Sequence, residues 1–368
     1  MTGQLHAVDT RTPADWCEDF FAALADMDEY LATELVGRAL DGGLSPQQVL
    51  LQVIAPAQAK VGAEWAGGRF TVAREHAATA ISDRAVAAVT RHRVTRAPGT
   101  RGRVTVACVD GEWHALPARL VAETLGLRGW QVDFLGAHVP TPHLIAHLHA
   151  TGPDVVALSC SLATRLPTAH ATITACQAAG IPVLVGGAAF GPDGRYARLL
   201  GADAWAPDAD SAVARLEEQP VVTPVHPELG DPFTGLPHLI DQEYTLLSRN
   251  RRQLVEQAMT GLEARLPVMR TYSDRQHERT HEDVGHIVDF LITALYVDQA
   301  QVLADFLAWT SDILDARNVP SRSLLTALDI IADQLPDFPR TLAIIDTSRS
   351  AVATASTTAR GRTTEDNA

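Results

Sequence analysis

Residues 103–136 read RVTVACVDGEWHALPARLVAETLGLRGWQVDFLG, which is an apolar run, a polar loop, a helix-length segment and a second apolar run. The apolar runs VTVACV and WQVDFLG have the length and composition of buried strands. Comparable runs recur as DVVALS at 154–159 and PVLVGG at 182–187, each separated from the next by a helical pattern. Repeated strand–helix units predict an α/β domain over residues 102–218, with a doubly wound parallel sheet covered on both faces.

Helical patterns flank this α/β region on both sides. From 13 to 95, apolar residues recur at helical spacing between glycine breaks, which predicts a four-helix bundle. Residues 240–345 return to a helical pattern, and we expect an all-helical domain there. Residues 346–368 are dominated by Ser, Thr and Ala and are expected to be a disordered tail. The stretches 91–102 and 219–239, which contain Pro and Gly, are expected to be linkers.

The composition limits the function. The chain has 368 residues, which suits two or three domains, and 30 Lys and Arg against 44 Asp and Glu give a net charge of −14. So acidic a chain is a poor candidate for binding nucleic acid or an anionic membrane. No apolar run is long enough to cross a membrane and the start lacks a secretory pattern, so we expect a cytoplasmic protein. The four cysteines are irregularly spaced and fit reduced thiols.

The loops that follow the strands are the candidate site, because open parallel sheets bind ligands outside the carboxyl ends of their strands. They follow Val109, Leu158 and Val185. The first loop reads DGEWHALP at 110–117. Its His114 either caps the following helix or projects into the crevice as a metal ligand, since imidazole is a good ligand for cobalt. In the second case, Asp110 or Glu112 would accept the proton of the other ring nitrogen.

Taken together, the three loops resemble those of the cobalamin-binding domain family. That family carries Asp-x-His-x-x-Gly, Ser-x-Leu and Gly-Gly after its first, third and fourth strands. This chain has Glu112-x-His114-x-x-Pro117, Ser159-Cys-Ser161-Leu162 and Gly186-Gly187. The departures are Glu for Asp and Pro for Gly, and the second concerns the close approach of the backbone to the corrin. The resemblance implies that His114 holds cobalt from below and that small residues line a slot for the nucleotide tail. The cofactor-binding residues it implies are Asp110, Glu112, Trp113, Leu116, Ser159, Ser161, Leu162, Gly186, Gly187 and Ala188.

The helical segment before the sheet carries a second pattern, in which Trp65 is followed after nine residues by Glu75 and His76. A Trp near a helix end is usually part of a core, and a Glu-His pair is usually a solvated face. Together they resemble the cap motif of the cobalamin-dependent photoreceptors that repress carotenoid genes. The resemblance implies that these three residues line the upper face of cobalamin and favour adenosylcobalamin over methylcobalamin. Those photoreceptors have a His directly after the Trp that takes the cobalt after light; Ala66 stands there in this chain, and His76 is the nearest substitute.

The third segment contains a cluster of basic and aromatic residues. Its members are Arg270, Tyr272, Arg275, His277, Arg279, His281 and His286, and the candidates for contacting a bilin are Arg270, Tyr272, His277, His281 and His286. Three interpretations of the cluster are open: a polar surface, a metal site, or a set of contacts to an anionic ligand. The arginines argue against the metal site, because their positive charges would repel a cation. The order of cap, cobalamin domain and all-helical, globin-like segment resembles the photocobilins, which pair adenosylcobalamin with biliverdin. Because the segment has no cysteine, the biliverdin that this resemblance implies would be held non-covalently.

These features predict a light sensor rather than an enzyme. Light-driven loss of the adenosyl group would change the conformation or the association of the chain, which we expect to be a homodimer with an unidentified signalling partner. One alternative is a corrinoid carrier of a methyltransferase system, which would share the bundle and the three loops. Another keeps the cobalamin but makes the third segment a helical interaction domain or a haem-type globin.

Overall fold

The computed structural model describes residues 11–91, 99–218, 235–317, 319 and 322–350. The chain divides into two compact units, Met1–Leu229 and Gly230–Ala368. Among the described residues, no helix combines the length and the apolar character needed to span a membrane.

The first unit begins with helices that pack around one apolar core. Helix α1 (Pro13–Ala25) starts at Thr12, where a capping box with Asp15 satisfies backbone donors of the first turn. The following helical elements are α2 (Glu29–Asp41), α3 (Pro46–Gln48), a π-helical segment (Val49–Ile54), α4 (Ala55–Ala66) and α5 (Val72–Arg91). Their shared core, the cap core, includes the fully or almost fully buried residues Trp16, Phe20, Leu50, Ile54 and Val86.

The rest of the first unit is a five-stranded parallel sheet with helical connections. Its strands are β1 (Arg103–Cys108), β2 (Gln131–Gly136), β3 (Val155–Ser159), β4 (Val183–Gly186) and β5 (Ala204–Ala206). Its helices are α6 (Ala115–Leu127), α7 (Thr141–Thr151), α8 (Leu166–Ala178), α9 (Arg195–Leu199) and α10 (Ala209–Glu218). The strand order β2-β1-β3-β4-β5 places the topological switch point between β1 and β3. The predicted parallel α/β sheet is confirmed, although the three-residue β5 was not predicted.

Helix α6 joins the sheet to the preceding helices. Ala118 and Leu125 on one side of α6 pack in the core of the sheet. Leu116 and Leu120 on another side are 7% and 8% exposed and belong to the cap core. Burying a leucine side chain contributes about 2 kcal/mol, so these contacts hold the helix against both layers.

The second unit is helical in its described part, as predicted. It contains α11 (Glu243–Arg265), α12 (Asp274–Val297), α13 (Gln301–Ala316), α14 (Arg322–Asp333) and a helix over 339–350. The buried Glu243 accepts hydrogen bonds from the backbone N–H groups of Arg340 and Thr341 at 3.0 and 2.7 Å, which caps the last helix.

The end of this last helix differs from the expectation for residues 346–368. The helix continues to residue 350, and Ser348 is buried and donates a hydrogen bond to the carbonyl of Ala300 at 3.2 Å. Residues 346–350 are therefore ordered helix, because small polar side chains here pack against a neighbouring helix start. The expected disorder of 351–368 lies outside the described residues, as do 92–98 and 219–234 of the two expected linkers.

Candidate functional site

The three predicted loops meet at one edge of the sheet. Cys108, Ser159 and Gly186 are neighbours in the strand register, so the loops that follow them leave the sheet side by side. The first two of these loops flank the switch point between β1 and β3, where open α/β sheets bind their ligands.

The buried carboxylate of Glu112 connects the loop after β1 to the loop after β3. The side chain of Glu112 is fully buried, and its Oε1 accepts the backbone N–H of His114 at 2.9 Å and lies 2.6 Å from His114 Nδ1. Its Oε2 accepts the N–H groups of Ser161 and Leu162 at 2.6 and 3.0 Å. Burial raises the pKa of Glu112, but the hydrogen bonds from His114, Leu162 and Ser161 outweigh that effect and bring it to about 2. Glu112 is therefore a fixed anion at neutral pH.

His114 presents one ring nitrogen for a ligand. Its hydrogen bond to the Glu112 anion fixes the proton on Nδ1, which leaves the lone pair on Nε2 of a side chain that is 54% exposed. The hydrogen bond to Glu112 raises the pKa of His114 against the opposing effect of burial, and the charges of Glu112 and Glu75 add to it. His114 stands at the N-cap position of α6, but its side chain makes no capping hydrogen bond. The contact with Glu112, rather than capping, accounts for the orientation of the ring.

A residue that the sequence did not point to, His138, supports the first loop from the end of β2. His138 has a φ of +50°, and its Nδ1 accepts the N–H of Gly111 at 2.9 Å while its own N–H donates to the carbonyl of Glu112 at 2.9 Å. Its ring stacks on the exposed ring of Trp113, with centroids 4.9 Å apart. Asp110 lies 3.3 Å from the same Nδ1, so Glu112 rather than Asp110 is the carboxylate that contacts His114.

Small residues after β3 and β4 keep side chains out of the edge of the sheet. Gly187 has a φ of +100°, and a Cβ there would lie 2.3 Å from the carbonyl oxygen of Cys160, so only glycine fits. A Cβ on Gly186 would meet the carbonyl oxygen of Ala206 at 3.0 Å. Ser159 is 8% exposed beside them, whereas Ala188 is exposed. Backbone therefore packs closely against backbone at this edge of the sheet.

The predicted cap pair lies at the start of α5. Glu75 contacts Nδ1 of His76 at 2.8 Å and accepts the hydroxyl of Thr79 at 2.9 Å. The side chain of Gln58 on α4 then donates to that hydroxyl at 2.6 Å and accepts from the fully buried Ser82 at 2.9 Å. This chain of hydrogen bonds fixes the Glu75 carboxylate, while the His76 side chain is 74% exposed.

The cap and the first loop are near each other. The charge of Glu75 is one of the causes of the raised pKa of His114, which places the carboxylate within electrostatic range of the imidazole. Trp65 lies near the end of α4, partly buried against the cap core. Leu116 lies within that core, 7% exposed.

The residues present fit a corrin-bound cobalt. His114 would hold the cobalt through Nε2, because the Glu112 anion orients the ring and keeps a proton on Nδ1. In the part of the chain that the structure describes, no three His, Cys, Asp or Glu side chains could hold a metal ion together. Gly186 and Gly187 let neighbouring backbone approach closely at this edge of the sheet, since a Cβ at either position would meet a backbone carbonyl oxygen.

The structure brings together only part of the predicted bilin cluster. The rings of Tyr272 and His277 meet edge to face, with centroids 5.8 Å apart. Arg270, His281 and His286 are exposed. A cavity of about 200 Å³ in this unit is lined instead by residues of α11 and of the segment after α14, among them Leu246, Leu247, Gln334, Leu335 and Phe338.

Comparison with known families matches both parts of the first unit. Residues 102–217 match the B12 binding domain family, and residues 16–90 match a second family that is also described as a B12 binding domain. The first match covers the sheet and the three loops. The second covers the helices that contain Trp65, Glu75 and His76.

Known relatives match the same half of the chain. The trimethylamine corrinoid protein of Methanosarcina barkeri is 26% identical over 201 residues, 53% of this chain and 92% of that protein. The HTH-type transcriptional repressor CarH of Myxococcus xanthus is 31% identical over 194 residues, 51% of this chain and 63% of the repressor. The monomethylamine corrinoid protein of Methanosarcina barkeri has a similar fold, with a TM-score of 0.50 and 17% identity over 56% of this chain and all of that chain. Residues 16–90 and 102–217 are therefore B12-binding domains, in a chain related to corrinoid proteins and to CarH, and the cofactor that they indicate is a cobalamin or another corrinoid.

Proposed function

We propose that this chain is a light sensor that holds adenosylcobalamin between His114 and the cap residues Trp65 and Glu75. The observation that carries the proposal is the packing of the two sides against each other: α6, which begins directly after His114, buries Leu116 and Leu120 in the cap core, against which Trp65 also packs. The similarity to the repressor CarH, over 194 residues, supports the same assignment.

Each residue has a separate task in this proposal. Bound adenosylcobalamin supplies a cobalt–carbon bond that light can break. His114 offers Nε2 to the metal because Glu112 keeps the proton on Nδ1. Trp65 covers the opposite face with an apolar ring, and the Glu75 carboxylate accepts hydrogen bonds from ribose hydroxyls.

The packing of α6 gives the signal a route to the surface. His114 directly precedes α6, and Leu116 and Leu120 on the first turns of α6 are buried in the cap core. A rearrangement of the cap therefore displaces α6 or leaves a cavity at two leucines, which costs about 2–5 kcal/mol for each leucine. We expect this coupling to change how the chain associates with a second copy of itself or with a signalling partner.

The test is a comparison of dark and illuminated protein. The chain is loaded with adenosylcobalamin in the dark, and its absorption spectrum and molar mass in solution are measured before and after green light. Light should remove the alkylcobalamin bands and change the mass. His114→Ala should abolish histidine coordination. Glu75→Gln should weaken the preference for adenosylcobalamin over methylcobalamin, whereas Glu34→Gln, an exposed acid of α2, should not. A light-insensitive spectrum, or bleaching without any change in mass or conformation, would refute the proposal.

A corrinoid carrier is the second candidate, favoured by the match to a corrinoid protein over 92% of that protein's length. A carrier must pass a methyl group to a partner enzyme, so its upper face must open without light. Methyl transfer from the methylcobalamin-loaded chain to an acceptor in the dark, with a corrinoid methyltransferase supplied, would establish this role.

Biliverdin binding by the second unit stays a prediction. The packed pair Tyr272 and His277 and the neighbouring Arg270 are the residues that would contact its ring system and carboxylates. Co-expression with biliverdin production should give a protein that absorbs red light, and Tyr272→Phe with Arg270→Gln should weaken that absorption. Co-expression with haem supply instead of biliverdin tests the haem-type globin alternative in the same spectrum.

A further inference from the structure

Arg165 bridges the two loops at the switch point of the sheet. It ends the short turn Ala163–Arg165 that follows the Ser159–Leu162 loop. Its guanidinium lies on Gly111 of the first loop, where a Cβ would come within 2.9 Å of Cζ and 3.0 Å of Nη1. Gly111 also has a φ of +79°, so both the backbone and the arginine require glycine there.

The guanidinium of Arg165 has no partner of opposite charge within the described part of the chain. Its Nε is buried without a hydrogen-bond acceptor. Both oxygens of the Glu112 carboxylate are already engaged, one with His114 and the other with the backbone N–H groups of Ser161 and Leu162. Other arginines of the same domain are paired, for example Arg103 with Asp133 and Arg119 with Glu123.

The Arg165 side chain is partly buried, and its charge also reaches Cys160. Burial raises the pKa of the fully buried Cys160 thiol, and the charge of Arg165 is one of the groups that oppose this rise. The guanidinium thus lies against Gly111, in the loop that also carries His114. A buried N–H group without an acceptor costs free energy, which a ligand that supplies an acceptor oxygen would recover.

The chemistry of cobalamin provides one such anion. The corrin carries neutral amide side chains, whereas the tail that links it to the nucleotide base contains a phosphodiester. If His114 holds the cobalt, which is part of the proposed function, the nucleotide base would not be needed as the ligand, and the tail with its phosphodiester could contact the protein instead. We infer that Arg165 binds this phosphodiester, because a planar guanidinium can donate two parallel hydrogen bonds to a phosphate. Arg165 thereby selects complete cobalamins over corrinoids that lack the nucleotide tail.

Binding of hydroxocobalamin and of cobinamide, the same corrin without phosphate, ribose and base, tests the assignment. Dissociation constants are measured in the dark by equilibrium dialysis for the full chain and for Arg165→Gln, Arg165→Lys and Arg128→Gln. Arg128 is the matched control because it follows α6 at the opposite edge of the sheet and faces Glu217. Thermal unfolding of each apo variant checks the fold.

The expected result is selective. Arg165→Gln should weaken hydroxocobalamin binding by about tenfold or more, since hydrogen bonds to charged groups are strong, and should leave cobinamide binding unchanged. Arg165→Lys should recover part of the loss, and Arg128→Gln should bind both corrinoids like the wild type. Equal weakening of both corrinoids by Arg165→Gln, or no weakening of either, would overturn the assignment while leaving the proposed function intact. A wild-type chain that binds neither corrinoid would overturn both.

Discussion

Replacing Glu112 by glutamine removes a charge from the centre of the site while nearly keeping the shape of the side chain. In the wild type, Glu112 accepts hydrogen bonds from two backbone N–H groups of the loop after β3 and contacts His114 at two atoms. A glutamine has one acceptor oxygen and one amide nitrogen that donates. Whichever way the amide is turned, its nitrogen faces N–H groups that it cannot accept, and at least one backbone donor loses its partner.

The structure also predicts the size of the effect on stability. Hydrogen bonds lower the pKa of Glu112 from 4.5 to about 2 despite burial. Since one pKa unit corresponds to about 1.4 kcal/mol, the ionised carboxylate stabilises the folded apo chain by about 3 kcal/mol at neutral pH. The pKa is lowered by folding, so this contribution is complete above the ordinary value of 4.5 and is lost as the pH falls towards 2. The difference in unfolding free energy between wild type and Glu112→Gln should therefore shrink steadily over that window.

The same substitution changes the ligand. When the glutamine amide faces His114 Nδ1, it donates to that nitrogen and shifts the ring proton to Nε2, the atom needed for cobalt. Loss of a carboxylate that orients a metal-bound histidine typically lowers metal affinity by about 10- to 100-fold. We expect a loss of this size for hydroxocobalamin, together with a smaller fraction of histidine-coordinated cobalt.

Three measurements check these expectations against a matched control. Glu123→Gln removes a carboxylate of similar burial on α6 that pairs with Arg119 at 2.7 Å and does not contact the loops. Unfolding by urea at several pH values measures stability, and equilibrium dialysis measures affinity. Electron paramagnetic resonance of the reduced cobalt, with protein labelled with heavy nitrogen, distinguishes a histidine ligand from the nucleotide base. If Glu112→Gln binds cobalamin through His114 as tightly as Glu123→Gln does, Glu112 does not set the tautomer of the ligand.

Further substitutions and probes test other parts of the structure. Gly187→Ala should destabilise the apo chain by about 3 kcal/mol, of which about 1 comes from the positive φ and about 2 from displaced backbone. Gly180 has a φ of +79° but open space around its Cα, so Gly180→Ala should cost only about 1 kcal/mol in the same urea titration. Burial raises the pKa of Cys108 to about 12 and also raises that of Cys160, so both thiols should resist iodoacetamide at pH near 8 until urea unfolds the chain; rapid labelling in native buffer, detected by mass spectrometry, would contradict their burial. Glu243→Gln removes the carboxylate cap of the last helix and should lower the stability of the second unit by about 1–2 kcal/mol, followed by circular dichroism.

The strands were predictable where their signal is local. Apolar runs of five or six residues, such as Arg103–Cys108 and Val155–Ser159, are visible in the sequence because both faces of a parallel sheet are buried. The strand Ala204–Ala206 is too short to stand out and depends on pairing with its neighbour in the sheet. The order of the strands fixes where the loops meet, so the loops after β1, β3 and β4 could be grouped from the pattern alone.

The partners inside the site could not be read from the sequence. Asp110 and Glu112 were both candidate partners of His114, and the structure selects Glu112, which is fully buried and contacts Nδ1. His138 and Arg165 reach the first loop from the ends of other strands, so no local pattern contains them. Their roles follow from tertiary contacts only.

The cap and the metal ligand are best understood as parts of one packed element. Leu116 and Leu120 on α6 pack in the core of the preceding helices. Ala118 and Leu125 of the same helix pack in the core of the sheet. A motion of the cap that kept α6 still would expose the leucines, and a motion that carried α6 along would pull His114 away from Glu112 and break the 2.6 Å contact. Exposing the leucines would cost free energy of apolar burial, and losing the contact with Glu112 would release the constraint on the His114 tautomer. In the proposed sensor, therefore, the position of the cap helices affects how firmly His114 is held. Leu120→Ala should weaken this coupling, because it removes packing between α6 and the cap core without changing His114 or a residue proposed to contact the cofactor.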